Sequence, residues 1–204
     1  MRTSVLFGLL ALLVCSAVGA ETLTISTGII LLKDDTTPPA NPAARYVKWK
    51  SRTKLDPVDH QVVLPAAGSD GDPTSAGATG GGASLTVYNA AGSGEAFTIA
   101  LPAAGWIRDG MPARTYRFAN GQGPIYRVIV RPYKIYVRGG TAGWGYTLDE
   151  AQQGLVAARL TLGTGITWCA AAPPKYPASA NDRPDKYLST KAIAPAACPP
   201  LPGE

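Results

Sequence analysis

The chain has 204 residues, of which 46% are hydrophobic, and a formal net charge of +5 at pH 7. This length is in the usual range for one domain and allows a substantial buried core. After the first twenty residues, no stretch approaches the roughly 18 uninterrupted apolar residues of a membrane-spanning helix, so we expect no transmembrane segment in the mature chain.

The first twenty residues, MRTSVLFGLLALLVCSAVGA, have the three parts of a secretory signal peptide. Arg2 supplies a positive start, an apolar run follows, and small residues precede a cleavage site after Ala20. We expect a secreted chain, periplasmic or extracellular, that begins at Glu21. A lipid anchor on Cys15 is the alternative, but bulky residues precede this cysteine where small ones are needed.

Residues 21–170 are predicted to form a β-domain, because apolar and polar residues alternate there with a period of two. Gly- and Pro-rich breakers such as PPANP, RDGMP and NGQGP separate the runs. No segment keeps a helical period for three turns, although Leu148–Gly154 could form one helical turn. The predicted strands are 23–33 with a possible bulge at Gly28, 46–50, 85–89, 97–101, 115–119, 125–131, 134–138, 145–148, 155–162 and 166–169.

This pattern predicts an all-β fold, an antiparallel β-sandwich or open barrel of the Ig-like or jelly-roll-like kind. Residues 171–204 are rich in Pro and Ala and are predicted to be an irregular tail. Cys169 and Cys198 remain as an even pair in an oxidising compartment, which predicts a disulfide that tethers this tail. A metal site is the alternative for two cysteines, but His60 is the only histidine of the chain.

The glycine-rich stretch 68–84 contains Asp70 and Asp72. An EF-hand loop that starts at Asp70 would need glutamate at its twelfth position, where the chain has Gly81. A phosphate-binding loop is also excluded, because the glycines lead into a predicted strand and no Gly-Lys-Ser/Thr follows. Two interpretations remain: a weak calcium loop that uses both aspartates, or a solvated flexible connection.

The segment IYRVIVRPYKIYVRGG, residues 125–140, predicts a cationic hairpin. If Pro132 and Tyr133 form the turn, one face points to the core and carries Tyr126, Val128, Val130, Tyr133, Ile135 and Val137. The opposite face carries Arg127, Ile129, Arg131, Lys134, Tyr136 and Arg138. Like charges directly opposite each other cost up to about 1 kcal/mol, so we expect an anion near them.

The strand around Trp49 repeats this feature, because Lys48, Lys50, Arg52 and Lys54 lie at alternate positions. Together the two strand faces could bind a polyanion such as lipopolysaccharide, acidic exopolysaccharide or extracellular nucleic acid, without sequence-specific nucleic-acid recognition. The alternative is a solvated face whose lysines and arginines prevent edge-to-edge aggregation.

Two of the four tryptophans are candidates for stacking on a sugar ring. Trp106 and Trp144 follow small residues in LPAAGW and GTAGW, where a loop could hold the indole at the surface. Burial in the core is the alternative, and we expect it for Trp49 and Trp168 on regular strands.

No catalytic motif stands out. The chain has no GxSxG, and His60 is interpreted as a loop residue near two aspartates. Asp109, Asp149 and Glu150 could supply paired carboxylates, but surface acids of this kind are usually solvated. We expect neither enzymatic activity nor a cofactor.

The phrases YTLDEAQQGLVAARLTLGTGITWCA and PAACP, preceded by GASLTVYNAAGSGE and LPAAGW, resemble a family of secreted β-rich proteins of Gram-negative bacteria. The likeness covers most of the mature chain. The family has no assigned activity, so the resemblance implies no functional residue. It does imply export, a β-rich fold and the Cys169–Cys198 pair.

From these features we expect an exported, non-catalytic structural or adhesive module of the cell surface or matrix, with an oligomeric state that the sequence leaves open. The alternative is a glycan- or polyanion-binding protein, and an enzyme is the third hypothesis. The candidate ligand-binding residues are Arg127, Arg131, Lys134, Tyr136, Arg138, Trp106 and Trp144.

Overall fold

The computed structural model of the protein describes residues 21–35, 40–75, 81–110, 114–121 and 123–204. The predicted signal peptide, residues 1–20, lies outside the described residues. Within the described ranges, no helix has the length and apolar character needed to cross a membrane.

The described residues form thirteen strands, one short α-helix and three single 3₁₀ turns. The strands are β1 Glu21–Thr24, β2 Thr27–Lys33, β3 Tyr46–Ser51, β4 Ala83–Asn89, β5 Ala96–Leu101, β6 Trp106–Asp109, β7 Thr115–Ala119, β8 Ile125–Arg131, β9 Lys134–Gly140, β10 Val156–Leu162, β11 Ile166–Ala172, β12 Asp182–Arg183 and β13 Lys186–Ala192. The helix α1 is Ala178–Asn181, and the 3₁₀ turns are Pro42–Ala44, Val58–His60 and Ala103–Gly105.

The strands form two sheets. One has five strands in the order β1-β11-β10-β4-β5, and the other has eight in the order β12-β13-β2-β3-β9-β8-β7-β6. Neighbouring strands are antiparallel except for β1 and β11, which are parallel. The all-β prediction is confirmed, and the architecture is that of a β-sandwich.

The core lies between the two sheets and is built from the alternate residues of each strand. Trp49 and Trp168 are both buried in it, as predicted. Each large apolar side chain removed from water in this way contributes about 1.5–3 kcal/mol. The five-stranded sheet contributes Leu85, Val87, Val156, Leu160 and Trp168, and the eight-stranded sheet contributes Ile30, Val47, Trp49, Val128 and Val137.

The predicted strand 23–33 is two strands that belong to different sheets. β1 ends at Thr24, the buried Ile25 turns the corner, and β2 begins at Thr27 in the opposite sheet. The predicted bulge at Gly28 is confirmed, because the register between β2 and β3 shifts there. A Cβ atom at this position would lie 3.1 Å from the carbonyl oxygen of Lys50, so the bulge brings two backbones close together.

The strand predicted at 145–148 and the helical turn predicted at 148–154 are wrong. Side-chain carboxylates replace a strand ladder there: Thr147 donates its backbone N–H to Glu95 Oε1 at 2.7 Å, and Leu148 donates to Asp34 Oδ2 at 3.4 Å. The buried Tyr146 and Leu148 still point to the core, which explains the alternation seen in the sequence.

The prediction that residues 171–204 form an irregular tail is wrong for much of that segment. β11 runs on to Ala172, and β13 pairs with β2 as an interior strand of the eight-stranded sheet. Tyr187 on β13 is fully buried and donates a hydrogen bond to the carbonyl of Ala172. The domain therefore continues past residue 170, and a seven-residue strand between proline-rich stretches was overlooked.

The predicted disulfide between Cys169 and Cys198 is confirmed, with a Cα–Cα distance of 5.8 Å. It holds the C-terminal segment, residues 198–204, against the outer face of the five-stranded sheet. Tyr88 on β4 donates its hydroxyl hydrogen to the carbonyl of Pro199 at 2.6 Å. Leu201 packs against a small apolar cluster that contains Tyr88, Ala157 and Ala171.

Candidate anion-binding face

The outer face of the eight-stranded sheet carries a group of basic residues on its three adjacent strands β3, β9 and β8. Val128, Val137 and Trp49 on these strands are buried, so the alternate residues point away from the core. We name this surface the cationic face, and it consists of Lys48, Lys50, Arg127, Arg131, Lys134 and Arg138.

Strand register places these cations side by side. Lys48 on β3 lies opposite Arg138 on β9, and Arg138 lies opposite Arg127 on β8. Arg131 and Lys134 form a second directly opposed pair beside the hairpin turn. Each such pair of like charges destabilises the sheet by a few tenths to about 1 kcal/mol. Because β3 pairs with β9, Lys48 and Lys50 adjoin the basic residues of the hairpin. Arg52 and Lys54, predicted on the same strand face, lie beyond the end of β3.

The environment of Lys134 shows the effect of this crowding. Burial lowers the pKa of its ammonium group, and repulsion from Arg131 and Lys50 lowers it further. These three cations lie on the adjacent strands β9, β8 and β3. A bound anion would act in the opposite direction.

Tyrosine rings support the guanidinium group of Arg138. Its central carbon lies 5.6 Å from the ring centroid of Tyr46 and 5.8 Å from that of Tyr126. The neighbouring tyrosines, Tyr46 first among them, raise the pKa of Arg138. Tyr136 lies on the same face opposite Lys50. Flat aromatic contacts hold an arginine in one orientation, which favours recognition of planar anions.

The chain supplies no carboxylate to this face. All fourteen aspartates and glutamates fall within the described ranges. None of them forms an ion pair with any of the six residues of the cationic face in the part of the chain that the structure describes. Ion pairs of these acids with other residues include Asp34–Arg45, Asp72–Arg108, Asp109–Arg117, Asp185–Arg183 and Glu204–Arg159.

Two details of the predicted hairpin need correction. The Pro132–Tyr133 turn is confirmed, with Tyr133 at a φ of 63°, but Tyr133 is 44% exposed and does not reach the core. Tyr126 was also expected to face inward. A register shift between Ile125 and Arg127 turns Tyr126 toward Arg138 and places Ile125 in the core instead.

The predicted exposure of Trp106 and Trp144 is wrong. Trp106 is 4% exposed and donates its indole N–H to the carbonyl of Leu101 at 3.1 Å. Trp144 is 1% exposed, and its ring makes an edge contact with Phe97 at a centroid distance of 4.9 Å. Both indoles belong to the core, so neither is placed to stack on a sugar.

Asp72 organises its own loop. Its carboxylate is 2% exposed and accepts hydrogen bonds from Gly68 N at 2.8 Å, Thr74 N at 2.9 Å and Thr74 Oγ1 at 2.6 Å. Burial acts to raise the pKa of Asp72, but these hydrogen bonds and the charge of Arg108 lower it below its usual value. Both carboxylate oxygens of Asp72 therefore already accept hydrogen bonds within the loop, and this accounts for its burial without a cation.

Asp70 is exposed, and its backbone carbonyl accepts a hydrogen bond from Thr164 N at 2.9 Å. Residues 68–75 are therefore tied to the body of the protein. The interpretation as a flexible connection fails for them, and residues 76–80 lie outside the described residues.

A different acidic cluster brings together Glu95, Asp149 and Glu150, with oxygens within 4.8 Å of one another. Burial raises the pKa of Glu95, while hydrogen bonds from Thr147 lower it and the two neighbouring acids raise it again. The three carboxylates could approach a cation, and Glu95 Oε2 is buried without a hydrogen-bond partner among the described residues. Glu95 as a whole is only partly buried and Asp149 is exposed, so we assign no metal site to the cluster. Asp109 forms an ion pair with Arg117 at 2.6 Å instead.

His60 is a structural residue of the loop before the glycine-rich stretch. Its Nδ1 lies 2.8 Å from the carbonyl oxygen of Thr24 and 2.9 Å from Thr24 Oγ1. Its Nε2 lies 3.8 Å from Asp59, in agreement with the predicted neighbourhood. These contacts fasten the 3₁₀ turn to β1, and the hydroxyl that contacts the imidazole is that of Thr24.

A groove adjoins the cationic face where β13, β2 and β3 lie side by side, with a volume of about 1150 Å³. Lys48 and Lys50 line it and also belong to the cationic face. The other basic residues of the groove are Arg52, Lys54, Lys175 and Lys191. Lys175 and Lys191 were not recognised in the sequence as site residues, because they lie in the segment that was predicted to be an irregular tail.

Comparison of the chain with protein-family models, with curated proteins and with solved structures finds no match in any of the three. The resemblance to secreted β-rich proteins of Gram-negative bacteria therefore stays a prediction, as do export and the absence of enzymatic activity. The case for a function depends on the geometry of the cationic face.

Proposed function

We propose that this protein is an exported, non-catalytic binding module that holds an extended polyanion, such as an acidic polysaccharide of the cell surface, across its cationic face. An adhesive role follows directly from such binding. The observation that carries the proposal is the lateral pairing of cations on β3, β9 and β8 without a carboxylate of the same chain beside them.

The position of these strands argues against edge protection as the reason for the charges. Lysines and arginines commonly guard exposed sheet edges from pairing with other chains. β3 and β9 lie in the interior of the eight-stranded sheet and β8 is two strands from its nearer end, so all three are already hydrogen-bonded on both sides. A charge on these strands therefore protects no free backbone group, and ligand binding explains the cost of the repulsion.

The spacing of the charges suits a repeating anion. Adjacent strands are about 4.8 Å apart, so the row of Lys48, Arg138 and Arg127 extends about 10 Å across the sheet. Alternate residues along one strand are about 6.8 Å apart, which separates this row from that of Arg131 and Lys134 by two such steps. A linear polymer with one anionic group per sugar could contact several of these cations at once.

The chemistry of the face favours binding over catalysis. Guanidinium groups stay charged at all physiological pH values and grip carboxylate or phosphate in a bidentate manner, but they do not exchange protons readily. The disulfide supports export, since such bonds persist in oxidising compartments.

Retention on heparin tests the proposal. Replacement of four residues by serine, Arg127, Arg131, Lys134 and Arg138, should weaken binding on the order of tenfold to a hundredfold, because each exposed ion pair contributes up to about 1 kcal/mol. Wild-type protein should need raised salt for elution, since salt screens surface charges.

The matched control removes the same charge outside the cationic face by replacing Lys33, Arg114, Arg183 and Lys186 with serine. This variant should keep most of the retention. Equal losses in the two variants would show that net charge alone drives binding and would refute a specific face. Thermal unfolding of each variant establishes that both are folded.

A further inference from the structure

The groove beside the cationic face combines positive charge with exposed apolar side chains. Six basic residues line it, and the single acid among its lining residues is Asp56. No ion pair joins Asp56 to any of these six residues in the described chain. The charge of this groove therefore favours a ligand that carries negative charge.

The apolar part of the groove is unusual for a site that binds a purely hydrophilic polymer. Leu55 is 89% exposed and Ile193 is 84% exposed, and both line the groove. Ile29 contributes a half-buried aliphatic surface to its wall. Exposed apolar groups surrounded by charged residues mark interaction surfaces, and these are placed to contact hydrocarbon next to an anionic group.

The backbone of the groove is strained at a basic residue. Lys191 has a φ of 57°, a left-handed conformation that few side chains adopt without cost. Its neighbours Thr190 and Ala192 pair with Ile29 and Thr27, so Lys191 lies across from Gly28 at the bulge of β2. Strained residues and bulges concentrate at binding sites, where they direct a side chain to a particular place.

We infer that this groove binds an anionic phospholipid at a membrane surface. The phosphate contacts the lysines and Arg52, and the carbons next to the headgroup contact Leu55, Ile193 and Ile29. The inference rests on the proposed function of the cationic face, since Lys48 and Lys50 belong to both surfaces, and it names the ligand class for one end of that surface. A soluble polysaccharide would leave Leu55 and Ile193 in water.

Co-sedimentation with lipid vesicles tests the inference. The protein should bind vesicles of phosphatidylcholine mixed with phosphatidylglycerol and should not bind vesicles of phosphatidylcholine alone. Replacement of Lys175 and Lys191 by serine should weaken binding about fivefold for each charge removed.

The double variant Leu55→Ser, Ile193→Ser should weaken vesicle binding about tenfold, because its apolar side chains no longer enter the interface. Its retention on heparin should be unchanged. The matched control is Val63→Ser, Ile107→Ser, which alters two exposed apolar residues outside the groove and should leave vesicle binding as it is.

Three outcomes would overturn the inference. Heparin retention without binding to phosphatidylglycerol vesicles would refute the lipid ligand while leaving the proposed polyanion function in place. Unchanged vesicle binding by the Leu55→Ser, Ile193→Ser variant would show that only charge attracts the vesicle, and it would refute an apolar contact with the lipid. If the wild-type protein binds neither heparin nor phosphatidylglycerol vesicles, the proposed function is refuted as well.

Discussion

The two outer faces of the sandwich differ in whether the chain itself covers them. The C-terminal segment covers the outer face of the five-stranded sheet, where Leu201 packs on Tyr88 and the disulfide fixes the approach of the chain. The described chain places no such cover over the cationic face of the eight-stranded sheet. The chain therefore covers one outer face with its own C-terminal segment, and the described residues leave the cationic face open.

Arg159 and Arg138 make the comparison specific. Both guanidinium groups lie over tyrosine rings, Arg159 at 5.4 Å from the centroid of Tyr88 and Arg138 at 5.6 Å from that of Tyr46. Arg159 also forms an ion pair with Glu204 at 3.6 Å and donates to the carbonyl of Pro199. Arg138 faces Lys48 and Arg127 instead. An arginine over a tyrosine ring therefore has a carboxylate partner on the five-stranded sheet and only basic neighbours across the strands on the eight-stranded sheet.

The largest expected effect concerns the covered face. Replacement of Cys169 and Cys198 by serine should lower the free energy of unfolding by about 3 kcal/mol, because the bridge closes a loop with a sequence separation of 29. Denaturant unfolding measures this change. Heparin retention by the folded variant should stay the same, since the cationic face lies on the other sheet. A parallel loss of retention would contradict the separation of the two faces.

Replacement of the two arginines should change the free energy of unfolding by a smaller amount, and the change should have opposite signs for Arg159 and Arg138. Arg159→Ser should reduce the free energy of unfolding by up to about 1 kcal/mol, because a partly buried ion pair and a hydrogen bond are lost. Arg138→Ser should leave stability equal or raise it by a few tenths of a kcal/mol at low salt, because repulsion from two neighbours disappears. Unfolding curves at low and high salt measure both changes.

Binding provides the control for this pair. Arg138→Ser should weaken heparin retention, whereas Arg159→Ser should not. If Arg138→Ser destabilises the protein as much as Arg159→Ser does, the charge on the open face has a structural partner and the comparison fails.

The smallest effect is the titration of Lys134. Its pKa is lower in the folded protein than the ordinary value of 10.5, so the folded state binds this proton less well than the unfolded state. The charged ammonium group therefore opposes folding, and stability should rise slightly as the pH increases from the folded pKa toward 10.5. NMR titration of the Lys134 side chain measures the pKa directly.

Addition of a short heparin oligosaccharide should raise the pKa of Lys134, because a nearby anion stabilises the ammonium group. A pKa of Lys134 that stays unchanged in the presence of bound ligand would place the ligand away from the hairpin.

Much of the local structure was predictable because a period of two along the chain depends only on which side chains enter the core. This holds for the strands around Trp49 and Val128 and for the cationic residues on their opposite faces. The pairing of Cys169 with Cys198 was predictable because only these two cysteines lie outside the predicted signal peptide. None of these predictions needed a long-range contact.

The errors share a physical cause, which is dependence on distant neighbours. Trp106 and Trp144 are buried because they pack against core residues that are distant in sequence. The residues that flank them in the chain do not indicate this burial. Tyr126 turned outward because of a register shift in its own strand pair. Residues 186–192 became an interior strand because β2 had a free side to pair with, and the proline-rich sequence on either side concealed it.

Alternation along each strand was enough to establish an all-β chain with a basic outer surface, because side chains on extended backbone point to opposite sides in turn. The tertiary structure alone decided that Lys48 lies beside Arg138, since the two residues come from strands far apart in sequence and meet through the pairing of β3 with β9. It also decided that β13 carries Lys191 to the groove and that the C-terminal segment covers the opposite sheet. Strand order and register depend on how the whole core packs, and no local run of residues encodes them.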